Sequence, residues 1–376
     1  MSEPQRPVPS PAARRRGVLA GLAVAAALLL LAQWRPGAAL PAKAGGVQAR
    51  RVALFVNGTL GDQSFYDGAA RGLRQARDTL GIDTRAVEGG GDPTRWESAF
   101  VDLVDGGDFD VIVTGTFTMT PLVQKLAPLY PRLRFIVFDA AVDRAQCRCD
   151  NVYSVLFRQN EGAYLAGWLA TRLGAPAGSG APTVGVVGGM QIPVIDDFIV
   201  GFTAGAQAAD PRTRVLRQYV NSFTDPATGK EIAKALYAQG AGTVFQAAGG
   251  SGQGVIEAAA EAGRWAIGVD ADQYLLVRRS NPQRAAAIAT SVLKQVDVAI
   301  LRALTLDSRH ALPYGQAESL GLASRGIGLA RSAPVLAQAP PALLAELDRV
   351  EQAIVSGQVR VPSAFASPAS ASASAP

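Results

Sequence analysis

Ala266-Ile267-Gly268-Val269-Asp270-Ala271-Asp272-Gln273 is a short apolar run that ends abruptly in two carboxylates. Its first four residues read as a buried strand, because a brief apolar run with turn formers after it suits a strand better than a helix. In open α/β sheets ligands bind in the crevice outside the carboxyl ends of the strands. Asp270 is therefore the first candidate for a ligand contact. An Asp in that place also caps helices and starts turns; the functional reading gains weight because several other strands of this chain end in equally unusual residues.

Outward from this stretch, strand and helix alternate along the chain. Arg51 to Asn57, Val111 to Thr114, Arg134 to Phe138 and Val152 to Leu156 are compact apolar strands. The first is followed by a Gly-rich turn and a helix from about Phe65 to Leu80, with Ala69, Leu73 and Ala76 at helical spacing. An apolar helix from Glu161 to Leu173 closes this half. The rhythm then restarts with strands at Val184 to Val187, Val215 to Val220, Thr243 to Ala247, Ala266 to Val269 and Ala287 to Ser291. Such alternation predicts an α/β protein with parallel sheets and crossover helices. Two successive arrays predict two similar lobes with a cleft between them.

Composition narrows the chemistry. The 376 residues, 48% hydrophobic and 18% charged, suffice for two packed domains. The net charge is +5, but eight of the 36 Lys and Arg lie before Ala53, so the remainder is near neutral and carries no nucleic-acid footprint. With two cysteines, Cys147 and Cys149, and one histidine, His310, a His/Cys metal site lacks ligands and a histidine-based catalytic triad has one residue to draw on. Cys147-Arg148-Cys149 is read as reduced in a loop or open to a partner thiol. Asp270-Ala271-Asp272 has no further acidic or His ligand nearby, so neither metal nor cofactor is expected. Gly250-Ser251-Gly252-Gln253-Gly254 follows a strand and precedes a helix, but its spacing is neither that of a dinucleotide fingerprint nor that of a P-loop. We read Gly249 and Gly250 there as a close backbone approach to a ligand.

The ends speak to compartment. Arg14-Arg15-Arg16, the apolar run Gly17 to Ala32 and Ala42-Lys43-Ala44 form the three parts of a secretory signal. Export to the periplasm, or anchoring to the outer face of the cytoplasmic membrane by residues 1–44, is expected. Residues 363–376 are a Ser, Ala and Pro tail with too little apolar surface to fold.

Several motifs in fixed order then point to a family. They are Gly61-Asp62-Gln63-Ser64-Phe65, Thr114-Gly115-Thr116-Phe117, Val184 through Phe202, Gln246 through Gly254, Ile267 to Gln273, Thr290 to Lys294 and Ser356 to Pro362. Together they resemble the basic membrane protein family of bacterial ABC-transporter substrate-binding proteins, which includes purine nucleoside receptors. The resemblance implies a type I periplasmic-binding-protein fold, two doubly wound lobes joined by three crossovers. It also implies a non-enzymatic receptor that closes over a nucleoside and delivers it to an inner-membrane permease. The lobes would comprise 51–156 plus about 293–320, and 157–291 plus about 321–362. A monomer is expected.

The chemistry of a nucleoside suits the matching residues. Vicinal ribose hydroxyls can donate to a carboxylate and accept from an ammonium, the roles the resemblance gives Asp270 and Lys294. As opposite charges these two could also pair in the empty site. Asp62 could accept from a base, or cap the helix after it, or do both. A flat base gains from stacking, and the candidate rings are Phe65, Phe117 and Phe198; Phe245, inside an apolar strand, reads as core. Tyr66 stands where the family commonly has Asn, a phenol in place of an amide that could read a base. A sensor of the same fold and an exported nucleoside-acting enzyme are the alternatives.

Overall fold

The computed structural model describes residues 50–174 and 180–365. The leader over residues 1–44 lies outside the described residues, as do residues 366–376 of the tail.

The first array comprises β1 (Arg51–Val56), α1 (Phe65–Leu80), β2 (Asp83–Glu88), α2 (Trp96–Asp105), β3 (Val111–Gly115), α3 (Thr120–Leu126), β4 (Arg134–Phe138) and β5 (Val152–Phe157). The second follows with α4 (Gln159–Gly174), β6 (Thr183–Gly188), α5 (Pro193–Ala209), β7 (Arg214–Tyr219), α6 (Pro226–Ala238) and β8 (Thr243–Ala247). It continues through α7 (Gly252–Ala262), β9 (Trp265–Asp270), α8 (Gln273–Val277), α9 (Pro282–Ala286) and β10 (Ile288–Lys294). The chain then returns to the first sheet with α10 (Val296–Ser308) and β11 (Ala317–Leu320). It ends on the second with β12 (Ile327–Leu329), α11 (Pro334–Ala337) and α12 (Pro341–Val355).

Two six-stranded sheets result, ordered β2-β1-β3-β4-β5-β11 and β7-β6-β8-β9-β10-β12. Position by position the orders are the same. The difference lies in the last strand, parallel to its neighbour in the first sheet and antiparallel in the second. The chain passes between sheets after β5, after β10 and after β11. In each sheet the winding reverses beside the first strand, the switch point at which such sheets bind ligands.

The central strands β1, β3, β4 and β8 are apolar and almost wholly buried because helices cover both faces of a parallel sheet. The edge strand β2, Asp-Thr-Arg-Ala-Val-Glu, is half exposed, and its polar composition hid it from pattern reading. β11 and β12 were equally hidden, being only four and three residues long.

Helix α4 starts directly after β5 yet is welded to the second lobe. A Cβ on Gly205 would sit 1.9 Å from the Tyr164 carbonyl oxygen, and one on Gly167 2.0 Å from that of Phe202. Backbone thus meets backbone along α4 and α5. Gly205→Ala is expected to cost about 1–3 kcal/mol, the usual price of overpacking; urea unfolding measures it, and an unchanged midpoint would refute this packing.

The β4–β5 connection, residues 139–151, has no helix. Within it Cys147 and Cys149 are joined by a disulfide, which corrects the expectation of reduced or partner-bound thiols. Cys149 is fully buried among core residues, so its thiol has its neighbour two positions away as partner. So short a loop gives an entropic contribution of only roughly 1.5 kcal/mol. The pair sits at the amino end of β5, where Val152 N–H donates to the Cys149 carbonyl (3.1 Å). Reduction is therefore expected to lower the melting temperature slightly and leave ligand affinity unchanged.

Candidate functional site

The site lies where the carboxyl ends of both sheets meet. Asp139 follows β4 and Asp270 ends β9, the same position in the two sheet orders. Both adopt left-handed backbone, with φ of 60° and 62°. Thr116, just after β3, has φ 73°. Left-handed conformation is rare for a β-branched residue, and each such position costs on the order of 1–3 kcal/mol and tends to be found where function requires it.

Lys294, the last residue of β10, is 4% exposed and forms an ion pair with Asp139 of the other lobe. The pairing foreseen between Lys294 and Asp270 is thus replaced by one with Asp139, because the ammonium at the end of β10 reaches the carboxyl end of β4. Three rings surround the ammonium: the centroids of Phe65, Phe157 and Phe198 lie 5.4, 5.4 and 5.5 Å from Nζ. Asp270 instead accepts from Ser64 Oγ at 2.5 Å, again across the lobes.

Asp62 holds the turn before α1. Its carboxylate accepts from the backbone N–H groups of Ser64 (2.9 Å), Tyr66 (2.9 Å) and Asp67 (3.1 Å), so it caps the helix from two residues ahead of Ser64, whose own side chain does not. Tyr66 packs edge-on to Phe65, and its hydroxyl donates to Asn57 Oδ1 at 3.0 Å. Asn57 in turn donates to Thr116 Oγ1 and Thr118 Oγ1 at 3.1 and 2.7 Å. Tyr66 therefore belongs to a lobe-one network with the strained Thr116.

Phe198 is buried against Phe245 (ring centroids 6.0 Å apart), which itself stacks on Phe202 inside the core. Phe117 is 51% exposed and is not among the rings around Lys294. Gly249 and Gly250 lie at the carboxyl end of β8 against Phe223, and Gly249 has φ 55°. The rest of that glycine run serves packing: a Cβ on Gly252 would overlap the Gln246 amide at 2.0 Å, and one on Gly254 the Pro226 carbonyl at 1.8 Å.

Burial pushes the Asp270 carboxyl up to about 6; Lys294 and Ser64 pull it back, while Asp62 and Asp139 add to the rise. Burial also raises Asp139, against the pull of Lys294, and raises Asp62 and Asp197. The site thus offers several carboxylates around one ammonium. Such a set offers acceptors to a ligand's hydrogen-bond donors and one cation to its acceptors. Among the described residues no cluster of three His, Cys, Asp or Glu side chains is arranged to hold a metal. His310 lies in the turn after α10, leading to the amino end of β11 and so at the opposite end of the parallel strands from Asp139.

Asp139, Ser64 and Phe157 were not among the residues expected from sequence. Asp139 carried a signal: it ends its strand as Asp270 does. Ser64 and Phe157 carried none, since only the docking of one lobe on the other gives them a partner.

Two matched doubly wound lobes that meet at a cluster of charges and rings are the arrangement of a solute-binding protein, and the family comparison assigns that class. Residues 49–364 match the family described as ABC transporter substrate-binding protein PnrA-like, and the chain belongs to that family. It is 31% identical over 266 residues to the CD4+ T-cell-stimulating antigen of Listeria monocytogenes, covering 68% of this chain and 71% of that one. It is 29% identical over 322 residues to basic membrane protein D of Borreliella burgdorferi, covering 85% and 89%. A solved ABC-transporter solute-binding protein from Aeropyrum pernix superposes with a TM-score of 0.71 at 28% identity, covering 84% of this chain and 94% of that chain.

Proposed function

We propose that this protein is an exported, non-enzymatic receptor that captures a nucleoside, purine nucleosides foremost, and hands it to an ABC permease. The observation that carries the reading is the set Asp270, Lys294 and Asp139 bordered by Phe65 and Phe198. Carboxylates and an ammonium at one place accept from and donate to vicinal hydroxyls. Rings beside them offer a flat base stacking of about 1 to 3 kcal/mol per base. Asp62, Tyr66, Gly249 and Gly250 line the remainder in this reading, and Phe117 serves as an exposed rim contact. Export rests on the basic and apolar leader and on the family's role in import. The lobes are taken as 51–156 plus about 293–320, and 157–291 plus about 321–362, with Lys294 itself closing the last long strand of the second sheet at the crossover.

Thermal shift and titration calorimetry against nucleosides, nucleotides, free bases, sugars and amino acids test it, since a ligand of the folded state raises apparent stability by mass action. A shift with nucleosides and none with their 5′-phosphates is expected. A shift with sugars or amino acids alone would overturn the nucleoside assignment while leaving the solute-binding class intact.

A further inference from the structure

Three amides of the turn Gly61–Ser64 are occupied within its own lobe. Gly61 and Gln63 N–H donate to the Asp67 carboxylate at 2.8 and 2.9 Å, and Ser64 N–H to Asp62 at 2.9 Å. Gln63 is left-handed, φ 51°. Both remaining polar groups of Gln63 and Ser64 that reach the second lobe are bonded there: the Gln63 carbonyl accepts from Gln273 Nε2 at 2.9 Å, and Ser64 Oγ donates to Asp270.

Gln273 is fully buried, and its amide has one orientation that satisfies its neighbours. Its Oε1 accepts from Gln253 Nε2 at 3.0 Å, and its Nε2 also reaches the Val269 carbonyl at 3.3 Å. Arg284 Nη2 fixes Gln253 by donating to its carbonyl and its Oε1, at 2.7 and 3.3 Å. The Gln273 backbone N–H donates to Ser291 Oγ at 3.1 Å. Packing agrees, because a Cβ on Gly268 would lie 2.5 Å from Gln273 Cγ. A flipped amide would turn its oxygen on two carbonyls. The donor is thus aimed at the other lobe by groups of its own lobe.

We infer that Gln273 is a closure-positioning residue, a latch to the Gln63 carbonyl that sets how readily the lobes close, held in register by Gln253 and Arg284. Opening strips Nε2 of its lobe-one acceptor, so the latch favours the closed form by the amount of one hydrogen bond, about three- to tenfold. Ligand affinity inherits the same factor when the competent closed form is the minor one. The inference rests on two-lobed closure and not on the nucleoside assignment.

The test is a distance measurement between spin labels at Leu129→Cys and Gln239→Cys, both exposed and on different lobes, in protein without and with ligand. Gln273→Met keeps length and removes the donor; the empty protein should shift toward the open distance by about three- to tenfold in population. Saturating ligand should restore the closed distance, with affinity reduced by a similar factor. Gln273→Glu, which sets a carboxylate against the Gln63 carbonyl, should open the protein further. Arg284→Met should act in the same direction more weakly, and it serves if the Gln273 variants do not fold. Unchanged distances in all folded variants would overturn the inference. So would an affinity loss without a change in the empty protein, since it would make Gln273 a ligand contact. Should no nucleoside bind, the distances in the empty protein still decide.

Discussion

Lys294→Met is expected to lower the unfolding free energy by about 3 kcal/mol at pH 7, the range for removing one partner of a buried ion pair, and to abolish solute binding. The lysine and aspartate side chains of the pair are 2% and 9% exposed, so water cannot replace the lost partner. Burial already raises Asp139 and Asp270, and Lys294 is what holds both down. Without it their folded-state pKa values rise further above the unfolded values. A raised carboxyl favours folding below its unfolded pKa and loses that contribution as pH rises through its folded pKa. The deficit of the variant should accordingly shrink as pH is lowered from 7 to 5. Urea unfolding at both pH values measures it; a loss below about 1 kcal/mol at pH 7 would mean that the ammonium does not hold the site together.

Asp270→Asn should separate binding from stability. Its carboxyl titrates near 6 in the folded protein, raised from 3.8 chiefly by burial. Near neutral pH the ionised group therefore opposes folding, by on the order of 2–3 kcal/mol if the whole shift is counted at about 1.4 kcal/mol per pH unit. Asn keeps an acceptor for Ser64 Oγ and removes the charge, so the melting temperature of the empty protein should rise. Solute affinity should fall well over tenfold, because a charged acceptor for the ligand hydroxyls is lost. Protonation of the wild-type carboxyl predicts that affinity weakens as pH falls through about 6, approaching tenfold per pH unit below it. The Asn variant should show no such dependence. Calorimetric titration between pH 5 and 8 provides the check, and equal affinity of the two proteins at pH 7.5 would remove Asp270 from the site.

Much of the architecture was legible locally. The runs that became β1, β3, β4, β8 and β9 are continuous apolar segments, since a parallel strand covered on both faces has no polar side to display. Their restart after α4 already implied two lobes. The stretch around Asp270 and the placement of Asp62 before α1 followed from the same logic of strand ends and helix caps. The edge strands β2, β11 and β12 were not legible. Two are too short for a period to appear, and β2 alternates for solvent as much as for core.

Sequence by itself determined the two βα arrays, the strand-end position of Asp270 and the family motifs, because each depends on residues close along the chain. Tertiary structure decided which charges meet. Lys294 and Asp139 are 155 positions apart and Ser64 and Asp270 are 206 apart, and each pair joins one lobe to the other. That Cys147 and Cys149 are bonded to each other was likewise seen only in the folded loop. Local propensity fixes strands and helices within a few residues. The identity of a buried ion pair depends on how two independently wound sheets dock, and no periodicity in the chain records that.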